Sequence, residues 1–302
     1  MMDLEEAIDR ISPMIDASLA SATRLAGLTN INYRMSTTDG DVVVRIPGRG
    51  TSDYIDRHAE EIAALVTAQA GVNVPVKFFD VSDGLMVTQF IDNSLTMSPA
   101  AFTEHGAIRR AADVMHRLHH IPKPFATDFK VAPVIADFKA ILASKRAPLP
   151  EDWREVEAQA DFALGLLAER PVALVPSHCD PLCENFLDTG DTMYLIDYEY
   201  SGNFDPMWDL GDFSVEAGFT TEQDDVLVHA YFDGTPPPAD VARMVIYKAL
   251  CDVLWSLWGI VQHINDNPVE DFWTYAVGRF ERCRTLMATP AYAAAVAELE
   301  HR

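Results

Sequence analysis

Basic residues are scarce. The chain carries 23 Lys and Arg against 46 Asp and Glu, a formal net charge of −23. Nucleic acids and anionic membranes are gripped through basic patches, so neither is an expected partner, whereas a small cation is. Cysteine is sparse as well. Cys179, Cys183, Cys251 and Cys283 lack paired CxxC spacing, which excludes a disulfide framework. Cys179 and Cys183 beside His178 do not complete a four-ligand zinc set, so buried thiols are expected there. No apolar run approaches the ~20 residues of a membrane span, and there is no repeat or low-complexity tract. The opening MMDLEEAIDR has neither the basic nor the apolar segment of a secretion signal. A cytoplasmic protein without membrane insertion is expected.

What is present is a globular composition, with 49% hydrophobic and 23% charged residues, enough for a core that needs no covalent staples. A length of 302 residues allows two lobes at roughly 100–200 residues each. Leu4, Ile8, Ile11 and Ile15 form the stripe of an amphipathic helix over the first 20 residues. Alternation over Ile31–Thr37, the Asp39-Gly40 turn and the β-branched run Val42–Ile46 predict a hairpin. A helix from about Asp53 to Ala70 follows, stopped by Gly71. A second hairpin spans Val76–Val81 and Leu85–Ile91 about Asp83-Gly84. Residues 92–98 are polar and read as a connector. Helices are expected over Pro99–His120, Pro133–Ser144 and Glu151–Ala168. Short strands are expected at Val172–Val175, Phe186–Asp188 and Met193–Ile196, and helix throughout from Pro206 onward. The domain reading is therefore a β-rich lobe over 1–91, a connector over 92–98 and a helical lobe over 99–302.

The chemistry-bearing segment is Ser177-His178-Cys179-Asp180-Pro181-Leu182-Cys183-Glu184-Asn185, an HxDxxxxN string, followed by an apolar strand that ends in Asp197. HxD alone is common by chance, and a lone loop aspartate usually caps a helix. The full string is much rarer, and it is what phosphoryl transfer needs. One carboxylate orients the attacking hydroxyl and takes its proton. An amide oxygen and a second carboxylate, Asn185 and Asp197, suit Mg²⁺, a hard cation that prefers oxygen ligands.

On these residues the sequence resembles the choline/ethanolamine kinases and the related aminoglycoside phosphotransferases, within the protein-kinase-like superfamily. The resemblance covers most of the chain. Its further markers are Gly27-Leu28-Thr29-Asn30 with Tyr33-Arg34, then Val42 to Gly48, Arg57-His58-Ala59-Glu60, Ile196-Asp197-Tyr198-Glu199-Tyr200, Phe204 to Gly211 and Leu254 to Gln262. The Asp-x-Glu-Tyr, Asp-Leu-Gly and Trp-x-x-Trp strings are similar to choline kinases in particular. The resemblance implies an α+β, bilobal, protein-kinase-like fold, with a small β-rich N-lobe and a larger, mostly helical C-lobe. It implies that Asp180 is the catalytic base and that Asn185 and Asp197 are the Mg²⁺ ligands. Arg45 stands where the family's β3 cation meets the ATP phosphates, with Glu60 its ion-pair partner. Thr29 and Asn30 would approach the phosphates in place of a GxGxxG loop. Gln89, Phe90 and Ile91 fall at the adenine-side hinge. Glu199, Tyr200, Glu216, Trp255 and Trp258 fall on positions that line the amine pocket. Leu182 and Ala217 depart from the choline-kinase pattern, which often has Gln and an aromatic there.

Two tryptophans at helical spacing are often plain core, but their faces also attract quaternary ammonium. His178 is expected to fix the loop rather than act as a base, and Asp209 to brace it. The implied function is ATP- and Mg²⁺-dependent O-phosphorylation of a small cationic amino alcohol, choline or ethanolamine. The alternatives are the same chemistry on an aminoglycoside, thiamine or another amine, and a kinase-like module that binds without catalysis.

Overall fold

The structure, a computed structural model, describes residues 2–16, 21–27, 30–48, 51 and 55–301. By packing, the chain separates into two compact units. The first comprises residues up to Thr127 with Pro176–His178 and Cys183–Asn203. The second comprises Asp128–Val175, Cys179–Leu182 and the chain from Phe204 onward.

The first unit opens with helix α1 (Leu4–Ile11), capped by the Asp3 side chain. It is shorter than its apolar stripe suggests because Pro13 has no N–H to offer the Asp9 carbonyl. The Ser12 hydroxyl donates to that carbonyl instead, at 3.0 Å. Ile15 lies beyond the helix yet still packs on the core, and residues 17–20 lie outside the described ones. Strands β1 (Thr23–Arg24), β2 (Ile31–Thr37) and β3 (Gly40–Ile46) lead to helix α2 (Arg57–Gln69), then β4 (Val76–Asp80) and β5 (Leu85–Gln89). They form an antiparallel sheet in the order β1-β2-β3-β5-β4. Helix α2 begins at Arg57, where the Asp56 carboxylate accepts from the His58 and Ala59 N–H groups. The expected start at Asp53 lies outside the described residues.

Strand parity decides what each face does. Val42, Val44 and Ile46 of β3 join Met35, Leu85, Val87 and α1 in a buried cluster. Arg45, one residue out of phase, therefore points to the opposite face. The expected connector contains a short strand, β6 (Leu95–Thr96), which pairs with a later one. The segment expected to be one helix from Pro99 is a 3₁₀ turn over Pro99–Thr103 and then α3 (His105–His119), with Glu104 in an extended conformation between them. Strand β7 (Val175–Ser177) begins later than Val172; Val172 and Leu174 are exposed. Strands β8 (Phe186–Asp188) and β9 (Met193–Leu195) form a hairpin beside β6, and β10 (Gly202–Phe204) pairs with β7.

The second unit is helical: α4 (Val131–Lys145), α5 (Trp153–Ala168), α6 (Pro206–Ala217), α7 (Thr221–Tyr231), α8 (Pro238–Ile264), α9 (Phe272–Met287) and α10 (Pro290–Glu300). Helix α8 has the length and apolarity of a membrane span, but 83% of its most apolar stretch is buried against its neighbours. It is the axis of the core. Two glycines let helices approach it or its partner closely. A Cβ on Gly211 of α6 would sit 2.9 Å from the Met244 carbonyl oxygen, and one on Gly259 of α8 would sit 2.8 Å from the Tyr275 ring. Asp205 caps α6 and also takes the Tyr247 hydroxyl at 2.9 Å and the Arg243 guanidinium. With Pro206 at the first helical position, this fixes the start of α6 on α8.

Candidate active site

Two clusters of ionised side chains are built around buried arginines, one in each unit. In the first, Arg45 comes off β3 with a side chain only 6% exposed. It binds the Glu60 carboxylate of α2, so the expected ion pair is present, and it donates to Asp197 at 2.9 Å. Arg57 donates to the other Glu60 oxygen at 2.7 Å and stands 3.8 Å from Glu199. Asn30 donates to Glu199 at 3.1 Å while its carbonyl oxygen accepts from the Gly48 N–H at 3.2 Å. Oxygens of Glu60, Asp197 and Glu199 all lie within 4.8 Å of one another. Burial, and then the Asp197 charge, push the Glu199 carboxyl up to about 7, against the pull of Arg45 and Asn30. Burial opposes the Arg45 charge, yet Glu60, Asp197 and Glu199 outweigh it and hold the guanidinium above its ordinary value.

Asp197 follows β9 with φ of 71°. The left-handed region costs a non-glycine residue on the order of 1–3 kcal/mol and collects at functional sites. Cys179, just before Asp180, shares this conformation with φ of 69°. Its N–H donates to Asp209 at 2.9 Å, and its carbonyl accepts from the Trp208 indole at 3.2 Å. Asp209 therefore braces the loop that carries the half-buried Asp180. His178 is fully buried, with Nε2 2.9 Å from the Ile196 carbonyl, and Asn185 ends the 3₁₀ turn Cys183–Asn185, its carbonyl accepting from Ile196 N–H at 2.9 Å.

Gln89 ends β5 and donates its N–H to Pro75. Phe90 donates to the Asp41 carbonyl at 2.9 Å and carries the Arg34 guanidinium 3.9 Å above its ring, with Ile91 half-buried beyond it. Thr29 lies outside the described residues.

The second cluster joins α6, α8 and α9. Trp255 and Trp258 are both half-buried, with rings perpendicular and centroids 5.8 Å apart. Trp258 also meets Phe272 at 5.3 Å and Tyr275 at 5.9 Å. Arg279 lies 4.8 Å from the Tyr275 ring centre, binds Glu216 at 2.5 Å and reaches Asp252 at 3.3 Å. Arg282 completes Asp252 at 2.5 Å. Asp212 and Cys251 are fully buried beside Glu216.

Of the five residues expected to line an amine pocket, Glu216, Trp255 and Trp258 are thus together in the second unit. Glu199 and Tyr200 belong to the first, and Glu199 takes its place among the partners of Arg45 and Arg57. Phe272, Tyr275 and Arg279 were not anticipated, nor was a site role for Asp212 and Cys251. Tyr275 and Arg279 are one turn apart on α9, but nothing in the local pattern tells a buried arginine from a solvated one.

The chain is similar to known phosphotransferases. The profile of the phosphotransferase enzyme family matches residues 21–247. The solved structure of a choline/ethanolamine kinase family protein from Mesorhizobium loti is 45% identical, with a TM-score of 0.87 over 93% of this chain and 92% of the other. Choline kinase LicA from Streptococcus pneumoniae is 27% identical, with a TM-score of 0.80 over 94% of this chain and 98% of the other. Protein LicA of Haemophilus influenzae is 28% identical over 86% of this chain and 98% of its own length.

Proposed function

Because the chain belongs to the phosphotransferase enzyme family, among the choline/ethanolamine kinases, we propose that it moves the γ-phosphoryl group of ATP to the hydroxyl of choline or ethanolamine. In this reading residues 1–91 supply the nucleotide lobe and 99–302 the acceptor lobe. Arg45 offers its guanidinium fork to the phosphates, a role that suits a planar cation. Glu60 orients it from α2. Asp180 accepts the proton of the attacking hydroxyl. Asn185 and Asp197 would hold Mg²⁺. The donor set fits: oxygens only, and three carboxylates within 4.8 Å in the group that contains Asp197. When bound, the ion neutralises charge on the phosphate oxygens.

The observation that carries the acceptor reading is the aromatic cluster of Trp255, Trp258, Phe272 and Tyr275 near a carboxylate already engaged by an arginine, Glu216 with Arg279 at 2.5 Å. A primary ammonium needs free acceptors and would compete with Arg279 for Glu216. A trimethylammonium group has no hydrogen to donate and needs only aromatic faces and a nearby negative charge. This favours choline over ethanolamine. ADP release measured over a panel of amino alcohols, aminoglycosides and thiamine tests the reading. Choline should give the highest kcat/KM, and a greater rate with an aminoglycoside or thiamine would overturn the choice.

A further inference from the structure

Asp212 lies on α6 one helical turn before Glu216, and none of its surface reaches solvent. Its Oδ1 accepts from the Cys251 thiol at 2.9 Å, and its Oδ2 has no hydrogen-bond partner among the described residues. A thiol is a weak donor. An ionised carboxylate withdrawn from water and served by one weak donor is strongly disfavoured. The cations within this cluster are already committed. On α9, Arg279 serves Glu216 and Asp252, and Arg282 serves Asp252. The other charges facing Asp212 are negative, Glu216 on its own helix and Asp180 on the catalytic loop, and with burial they lift its carboxyl well above the ordinary range. Burial, with Asp212, Glu216 and Asp252 nearby, raises the Cys251 thiol, so the S–H donor persists, and burial likewise holds the Tyr275 hydroxyl of α9 neutral.

Counted by charge, Arg279 and Arg282 balance Glu216 and Asp252. Beside the Asp180 charge on the catalytic loop, the further negative charge this cluster can offer an incoming cation is the one Asp212 can release. A cation beside a titrating carboxyl favours its ionised form. We propose that Asp212 holds a proton in the amine-free protein and gives it to solvent when the cationic acceptor binds, so that acceptor binding is linked to proton release. The O–H bond of the carboxyl breaks, the proton passes to buffer, and the carboxylate left behind supplies the matching charge. This rests on the acceptor reading above and makes Asp212 a positioning residue, one that acts on the acceptor through the charge of its pocket. Affinity for the acceptor then rises with pH, by at most about tenfold per pH unit for one proton.

Calorimetric titration of the full chain with choline, in buffers of different ionisation enthalpy, measures the release directly. Wild type should release up to one proton per choline bound. Asp212→Asn keeps the shape and an oxygen for the Cys251 thiol but has no proton to lose; its release should vanish and its choline affinity should stop rising with pH. Cys251→Ser puts a stronger donor on Oδ1, favours the carboxylate before binding, and should reduce the release without abolishing binding. Infrared difference spectra of wild type, which need no variant to fold, should lose a protonated-carboxyl band on adding choline. Binding without proton release, or equal release from wild type and Asp212→Asn, would overturn the proposal and leave the acceptor reading standing. Failure of every amine to bind would overturn both.

Discussion

In the first unit Arg45 spans Glu60 and Asp197, and Arg57 takes the remaining Glu60 oxygen. In the second unit Arg279 spans Glu216 and Asp252, and Arg282 takes the rest of Asp252. The two networks share a plan and differ at one end. Asp197 is 32% exposed while its partner Arg45 is 6% exposed, so the first network is open to an incoming ligand at its Asp197 end. Asp252 is 1% exposed, so the second network is closed at its far carboxylate and meets solvent through the Arg282 guanidinium, 44% exposed. A buried guanidinium needs carboxylates in either place, because an uncompensated charge there is costly. An open network can exchange a carboxylate for phosphate oxygens. A closed one fixes the charge of the surface around it.

The largest effect should come from the loop that carries Asp180. Asp180→Asn retains size and hydrogen bonding but cannot accept a proton. Its kcat should fall by about 10²–10⁴, with ATP affinity close to wild type by equilibrium titration. Retention of most turnover would remove Asp180 from the base role.

Next comes a paired substitution that separates the two networks. Arg45→Met strands Asp197, leaves Glu60 only Arg57, and should abolish nucleotide binding, with a stability loss of about 3–5 kcal/mol. Arg279→Met leaves Asp252 its Arg282 and frees the charge of Glu216. It should lower thermal stability too, but ATP KM should hold and choline KM should fall. Equal damage to ATP KM from both substitutions would show that the distinction between open and closed networks has no functional content.

The sheet, its helix and the HxDxxxxN string were legible because each rests on local pattern. Alternation over Ile31–Thr37 gives β2, and the single-residue phase shift in β3 separates Val44 from Arg45. The pairing of Arg45 with Glu60 was legible only through family resemblance, since helix and strand are joined by a segment of no pattern. Glu199, which the resemblance places at the amine pocket, faces Arg57 and Asn30 in the fold, contacts that no local pattern announces. The α9 residues Tyr275 and Arg279 were illegible for another reason: an arginine becomes a buried pairing residue only when a different helix brings Glu216 and Asp252 to it.

A smaller effect sharpens the account of the second unit. A desolvated cation–π contact contributes roughly 2 kcal/mol, about thirtyfold in affinity. Trp258 touches three other aromatic rings, Trp255, Phe272 and Tyr275, so Trp258→Leu should raise choline KM at least tenfold in steady-state assays, as should Trp255→Leu. Ethanolamine KM should rise less, and ATP KM should not move. Lower melting temperatures with unchanged KM for every amine would make the tryptophans plain core.

The last effect belongs to the first unit and is read as stability against pH. Burial, with Asp197 beside it, pushes the Glu199 carboxyl from 4.5 up to about 7. Between those values the unfolded chain has lost this proton while the native protein keeps it. The native state then binds more protons, so its stability falls as pH rises through that window and levels off above it. Glu199→Gln cannot titrate, and its amide oxygen can still accept from Asn30. Its melting temperature should therefore decline less than wild type between about pH 5 and pH 7, with the two curves parallel above that range. Parallel curves throughout would mean that Glu199 is ionised in the native protein, and that Arg45 and Arg57 outweigh its burial.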